Sequence, residues 1–192
     1  MTACNLQQVR FIPAGQPPHR GAPRASAQKR LDMVRLACAK HASFVVDERE
    51  VARAEPSYTV DTLSALRAEF GADQPLCLLL GTDAFLGLTS WHRWQALFGL
   101  AHVAVAQRPG FPQSTWTGNM PQVLQQELHA RHTLDTTALA IVPAGRILTF
   151  TLTALDIAAS HIRADLKRGA SPRYLLPDAV LDYISQNQLY SE

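Results

Sequence analysis

Residues 76–80 read LCLLL, closed off by Pro75 on one side and Gly81 on the other. A run this short is a poor helix, and its uniform apolarity leaves no polar face to give to water. A parallel strand covered on both faces satisfies both conditions. Runs of similar character at 9–14, 44–47, 102–106 and 147–152 read as further strands. Between them lie helical patterns at 26–41, 59–70, 91–101, 122–132, 160–167 and 178–186. Ser26 stands where an N-cap belongs, ahead of apolar positions at Leu31, Val34, Leu36, Ala37 and Cys38. In the second helix Val60, Leu63, Leu66 and Phe70 form one stripe. Strands alternating with helices predict an α/β fold, a parallel sheet with helices on both faces.

Composition supports this and removes several functional classes. The chain has 192 residues, 47% hydrophobic, which suits one domain spanning 1–192 with a helical C-terminal portion at about 155–192. Its 18 basic residues against 16 acidic ones create no broad cationic field, so neither nucleic acid nor a membrane surface is expected as a partner. No apolar run reaches the roughly 18–20 residues of a membrane helix, and no signal-peptide pattern opens the chain. The three cysteines, Cys4, Cys38 and Cys77, show no metal spacing. Cys38 and Cys77 read as buried core thiols, and a reduced cytoplasmic protein is expected. The histidines show no ligand spacing either, so no protein-held metal is expected.

In parallel α/β sheets ligands bind beyond the carboxyl ends of the strands, and those positions carry suitable groups here. After the first strand, Pro17 and Pro18 stiffen a loop bearing His19 and Arg20, two donors for phosphate oxygens, though an ordinary surface loop has the same composition. After the third, Gly81 permits close backbone approach and Asp83 can accept ribose hydroxyls, or simply cap a helix. Arg108 precedes Pro109-Gly110 after the fourth strand, as an anion contact or a turn. Ser57, Tyr58 and Thr59 open a helix whose free amides can bind a carboxylate, or which Ser57 or Thr59 caps. Trp91, His92 and Trp94 place two indoles three residues apart on one expected helix, for stacking on a flat ring or for the core. Near the C-terminus Ser160 and Arg163 bring a hydroxyl and a guanidinium to a helix start, an arrangement suited to pyrophosphate or to plain capping beside a solvated arginine.

Seven segments, in order, resemble the bacterial nicotinate-nucleotide adenylyltransferases. They are VRFIPAGQPPH at 9–19, DEREVAR at 47–53, PSYTVDTL at 56–63, LLGTDAFLGLTSWHRW at 79–94, AHVAVAQRPG at 101–110, IAASHIR at 157–163 and YLLPDAVLDYISQNQLY at 174–190. The resemblance implies a Rossmann-like nucleotidyltransferase fold and transfer of the adenylyl group of ATP to nicotinate mononucleotide, giving deamido-NAD and pyrophosphate in NAD biosynthesis. It implies that Ser160 and Arg163 hold the ATP phosphates, with Ala158 standing where a second hydroxyl is common. His19 and Arg20 would lie near the same phosphates. Gly81 and Asp83 would contact nucleotide, and Arg108 matches the family's Arg-Pro-Gly. Ser57, Tyr58, Thr59, Trp91 and His92 would receive the nicotinate ring and its carboxylate, with Trp91 stacking. Mg²⁺ would be held through the ATP phosphates rather than by a carboxylate cluster.

The family's opening strand, with its Gly-Gly-[Thr/Ser]-Phe-Asp-Pro-x-His-x-x-His segment, has no counterpart in these residues. The expectation that follows is a sheet lacking its first, central strand, with Met1 an internal methionine. A central strand is buried on both faces, so its loss leaves apolar surface and unpaired edges. Poor stability, or completion of the sheet in a homo-oligomer, is the physical consequence. Two rival functions stay open: an adenylyltransferase preferring nicotinamide mononucleotide, and a nucleotide-binding protein without turnover.

Overall fold

A computed structural model describes residues 4, 6–18, 23–107, 116, 118, 120–151, 155 and 157–191. They gather into two compact units. One takes the described residues of Met1–Leu6 and Tyr58–Ala154; the other takes those of Gln7–Ser57 and Leu155–Glu192.

The first unit is built on a four-stranded parallel sheet of β3 (Cys77–Gly81), β4 (His102–Gln107), β5 (His132–Thr133) and β6 (Ile147–Thr151), in the order β3-β4-β6-β5. Registers run Cys77 against His102, Val103 against Ile147 and His132 against Ile147, so Gly81, Ala106 and Phe150 lie abreast at the carboxyl end. Central β4 and its neighbour β6 form the core: Val103, Ala104, Val105 and Ile147 have no exposed surface, and Leu148 has almost none. Helices α2 (Thr59–Phe70), α3 (Thr82–Leu86), α4 (Leu97–Leu100), α5 (Gln122–Arg131) and α6 (Ala138–Ile141) supply Val60, Leu63, Leu66, Phe85, Leu97, Phe98, Leu124, Leu128 and Leu139 to the buried set. Phe70, expected on the buried stripe of α2, is 39% exposed because it is the helix's last residue, just before Gly71 turns the chain at φ 86°. Arg67, one turn earlier, fans its guanidinium onto the carbonyls of Gly71, Ala72, Gln74, Leu100 and Pro143. One side chain thereby ties the end of α2 to the approaches of β3 and β4.

His102 begins β4 with no exposure. Its Nδ1 accepts from the Arg146 amide at 3.0 Å, which leaves Nε2–H to donate to the Val142 carbonyl at 2.8 Å. Both ring nitrogens are spent on fixing the loop before β6, and burial pushes the imidazole below its ordinary value. Cys77 is half-buried rather than buried, yet burial pushes its thiol up to about 12, with Cys4 adding to the shift; both pack at the cluster of Ala104, Leu139 and Leu148.

The second unit carries β1 (Val9–Phe11) and β2 (Phe44–Val46), a parallel pair in the register Val9 to Phe44. With them come α1 (Ala27–Cys38), α7 (Ala159–Lys167) and α8 (Asp178–Gln186). Ser26 caps α1 as expected, its hydroxyl accepting from the Lys29 amide at 3.2 Å. Leu31 and Cys38 of α1 and Val180 and Ile184 of α8 are buried where these helices pack together. The Tyr183 hydroxyl donates to the Asp32 carboxylate at 2.8 Å across that contact. The parallel α/β character stands as read from sequence, but the strands fall into two sheets, since no strand among the described residues bridges β1 and β3. Among the described residues no helix is long and apolar enough to cross a membrane.

Candidate active site

The residues singled out in the first unit lie at the carboxyl end of β3 and along the helix starts. Gly81 ends β3 and serves as N-cap of α3 without any side-chain cap. A Cβ built on Gly81 would meet nothing within 4 Å, so its backbone faces open space. Asp83 sits inside the first turn of α3, exposed, and is not the capping residue. Its carboxylate makes no hydrogen bond or ion pair among the described residues, so it remains available for a ligand. Thr82 Oγ1 donates to the Ala106 carbonyl at 3.3 Å, linking the ends of β3 and β4 beside these two groups.

Tyr58 is the N-cap of α2 in an extended conformation (φ −93°, ψ 130°), with no side-chain cap. The first amides of α2, beginning at Thr59, thus stay available for an anion. The His92 ring packs against the Tyr58 ring with centroids 4.5 Å apart and planes tilted by 37°. Two of the expected residues, far apart in sequence, are therefore brought into one ring pair at a helix start. Trp91 and Trp94 do not share a helix. Trp91 closes the 3-10 turn Leu88–Ser90 in an extended conformation, and Arg93 follows in the left-handed region at φ 50°. Helical winding resumes only at Trp94, which instead meets Phe98 edge-on at 6.1 Å. The two indoles thus have separate settings.

In the second unit Ser57 does not cap a helix. Its hydroxyl accepts from the amides of Gly15 at 2.9 Å and Gln16 at 3.2 Å, while its own amide donates to the Gln16 carbonyl at 2.9 Å. Ser57 thereby positions the loop that leads from β1 toward His19. Arg30 holds the same loop, donating to the Gly15 carbonyl at 3.0 Å. Gly15 has no room for a side chain, because a Cβ there would lie 2.0 Å from the Glu50 carbonyl oxygen. Ser160 is the second residue of α7, whose N-cap is Ala158 rather than a hydroxyl residue. Ser160 and Arg163 are both exposed and one turn apart, with no side-chain partner among the described residues. A hydroxyl, uncapped amides and a guanidinium at one helix start can together hold a phosphate chain. His19, Arg20 and Arg108 lie outside the described residues.

Residues 3–164 match the family model described as cytidylyltransferase-like. The chain is 54% identical over 185 residues to the "Probable nicotinate-nucleotide adenylyltransferase" of Dechloromonas aromatica (strain RCB), covering 96% of this chain and 84% of that one. The protein of the same name from Acidithiobacillus ferrooxidans is 48% identical over 188 residues, covering 98% and 84%. This chain belongs to the nicotinate-nucleotide adenylyltransferase family. Its fold is also that of "Plasmodium falciparum nicotinic acid mononucleotide adenylyltransferase complexed with NaAD", with a TM-score of 0.68 over 97% of this chain and 83% of that chain at 13% identity.

Within this family member, spacing alone did not single out the buried carboxylate of Asp47, at the end of β2. Asp47 Oδ2 receives Arg10 Nη1 at 3.0 Å, Arg49 Nε at 2.8 Å and Arg49 Nη2 at 2.7 Å. Burial works to raise its pKa, but the hydrogen bonds from Arg49 and Arg10 outweigh this and hold the carboxyl below its ordinary value. The DEREVAR segment contained Asp47 and Arg49; Arg10 could be added only by the pairing of β1 with β2.

Proposed function

We propose that this chain transfers the adenylyl group of ATP to nicotinate mononucleotide, giving deamido-NAD and pyrophosphate in NAD biosynthesis. The observation that carries this is the 54% identity to the Dechloromonas relative over nearly the whole chain. The local geometry supports it: uncapped helix starts at Tyr58–Thr59 and Ala158–Ser160, and an Asp83 with no partner among the described residues after an open Gly81.

In this proposal the 5′-phosphate oxygen of nicotinate mononucleotide attacks the α-phosphorus of ATP. The new P–O bond forms as the bond to the β-phosphate oxygen breaks, and pyrophosphate leaves. No group on the protein is covalently modified. Catalysis then rests on positioning and on stabilising charge on the leaving group. Ser160, Arg163, His19 and Arg20 are assigned to the phosphates, and Gly81 and Asp83 to the nucleotide. The nicotinate carboxylate goes to the amides at Thr59, its ring to the region of Tyr58, His92 and Trp91, with Arg108 as a further anion contact. Ser57 acts by holding the Gly15–Gln16 loop. Among the described residues no three His, Cys, Asp or Glu side chains gather to hold a metal. Mg²⁺ is assigned to the ATP phosphates and water, where it would neutralise phosphate charge. A single nucleotidyltransferase domain in the cytoplasm completes the reading.

The test is pyrophosphate release by the chain with ATP, Mg²⁺ and either mononucleotide. Release with the nicotinate form is the expected result. Release with the nicotinamide form alone would move the substrate assignment. Binding of deamido-NAD with no release from either would favour a nucleotide-binding protein instead.

A further inference from the structure

His19 and Arg20, assigned above to the ATP phosphates, belong to the segment 16–24 that joins the end of β1 to the approach of α1. One side chain holds both ends of that segment. Arg30 lies on α1, and its amide donates to the Ser26 carbonyl at 3.0 Å, so the helix fixes its backbone. Its guanidinium turns back along the chain. Nη2 donates to the Gly15 carbonyl at 3.0 Å, and Nε donates to the Ala25 carbonyl at 3.3 Å. Gly15 immediately precedes the segment and Ala25 immediately follows it, so the two bonds close its neck.

Each side of the neck is itself anchored. Gly15 has its amide on Ser57 Oγ and its carbonyl on Arg30, which engages both of its backbone polar groups. Gln16 adds a side-chain bond from Nε2 to the Ala54 carbonyl at 2.9 Å. At the other end Ala25 is buried, directly ahead of the Ser26 cap. Ser26 already serves the helix start, and the Arg30 side chain serves the segment in front of it.

The geometry calls for arginine in particular. Two carbonyls are reached by two different nitrogens of one planar group, whereas lysine offers a single nitrogen on a flexible stem. Hydrogen bonds from a charged donor are also stronger than those between neutral groups. Tying the two ends of a loop together removes many of the arrangements its middle could take. That restriction counts most where donors must meet a substrate in one geometry. We propose that Arg30 is a positioning residue for the ATP phosphates, acting through the segment whose ends it clamps. The proposal rests on the adenylyl-transfer reading for the role of His19 and Arg20.

ATP affinity, measured by calorimetry on the full chain with Mg²⁺, tests this beside steady-state pyrophosphate release. R30M should weaken ATP binding at least tenfold and raise the KM for ATP to match, while the KM for nicotinate mononucleotide stays within twofold. R30K, a milder change should R30M fail to fold, should recover less than half of that loss, because charge without the fork closes only one side of the neck. Y183F removes the bond to Asp32 elsewhere on α1 and should leave ATP affinity within twofold. Hydrogen exchange at the Gly15 and Gln16 amides should quicken in R30M and not in Y183F. The clamp is overturned by unchanged ATP affinity in R30M, by an equal loss in R30M and Y183F, or by full recovery in R30K. No pyrophosphate release by the unaltered chain would overturn the adenylyl-transfer reading, while the ATP affinities would still decide the clamp. No ATP binding by the unaltered chain would overturn both.

Discussion

Strands β4 and β1 are both short and parallel, yet they are held by different forces. β4 lies between β3 and β6, and four of its six residues are buried. Among the described residues β1 pairs only with β2, and none of its three residues is buried. Around β4 the stabilising term is apolar burial, worth about 25 cal/mol per Å². Around β1 it is a set of directed polar links: Asp47 with Arg10 and Arg49, Ser57 with Gly15 and Gln16, and Arg30 with Gly15. Apolar burial tolerates small shifts, whereas a polar brace depends on a few atoms in fixed places. The loop toward His19 belongs to the braced unit, so its geometry is the more easily broken by one substitution.

The largest effect is expected at the brace. Gly15→Ala drives a Cβ into the Glu50 carbonyl, and the clash involves backbone on both sides. It should cost more than about 3 kcal/mol. Hydrogen exchange should show lost protection in β1 and β2, and unchanged protection there would refute the brace. Next comes Leu148→Ala in the apolar unit, at about 3 kcal/mol for a buried leucine with little room to collapse. All three tryptophans, Trp91, Trp94 and Trp116, belong to this unit, so their fluorescence reads its melting directly. Asp47→Asn is smaller, about 2 kcal/mol, since it removes the shared charge facing two partly exposed arginines. It should lower protection in the β1–β2 pair while leaving the tryptophan signal in place.

Acid sharpens the comparison with the smallest effects. His102 is neutral in the fold with its pKa lowered from 6.5, so the unfolded chain binds a proton first as pH falls. Its contribution is complete above about 6.5 and is lost as pH drops from there through the folded value. Asp47 is lowered from 3.8, so its contribution persists to that pH and is lost only below it. Tryptophan-monitored stability should therefore begin to decline in mild acid, and His102→Gln should remove that decline. Exchange protection of β2 should hold until about pH 4. A single decline shared by both probes, and unaltered by His102→Gln, would contradict the distinction.

Much of this is legible in the sequence. Helices read at 26–41, 59–70 and 178–186 and strands read at 44–47, 76–80 and 102–106 lie within a few residues of those observed, because apolar periodicity, Ser26 as a cap and Pro75 as a boundary are local properties of the chain. The winding at 91–101 was not legible, because the composition suits a helix and only the left-handed Arg93 interrupts it. The two-residue strand β5 and the single turns α3 and α6 are too short to carry a period. At the candidate site, residue identities were visible in the motifs, while their local roles were not. Ser57, readable as a cap or as part of the carboxylate site, is a loop brace; Asp83, readable as a ribose contact or a cap, does not cap α3 and has no partner among the described residues.

Sequence by itself determined the family, the parallel α/β character and the residue types available for phosphate and ring contacts. These rest on short-range pattern and on motif order, both of which survive in one dimension. Only the tertiary structure decided that His92 meets Tyr58, that Arg10 joins Arg49 on Asp47, and that Arg30 reaches both Gly15 and Ala25. Such groups meet because strands pair and helices pack over long separations, and the energy that selects those pairings comes from burial and complementary hydrogen bonding across the whole unit.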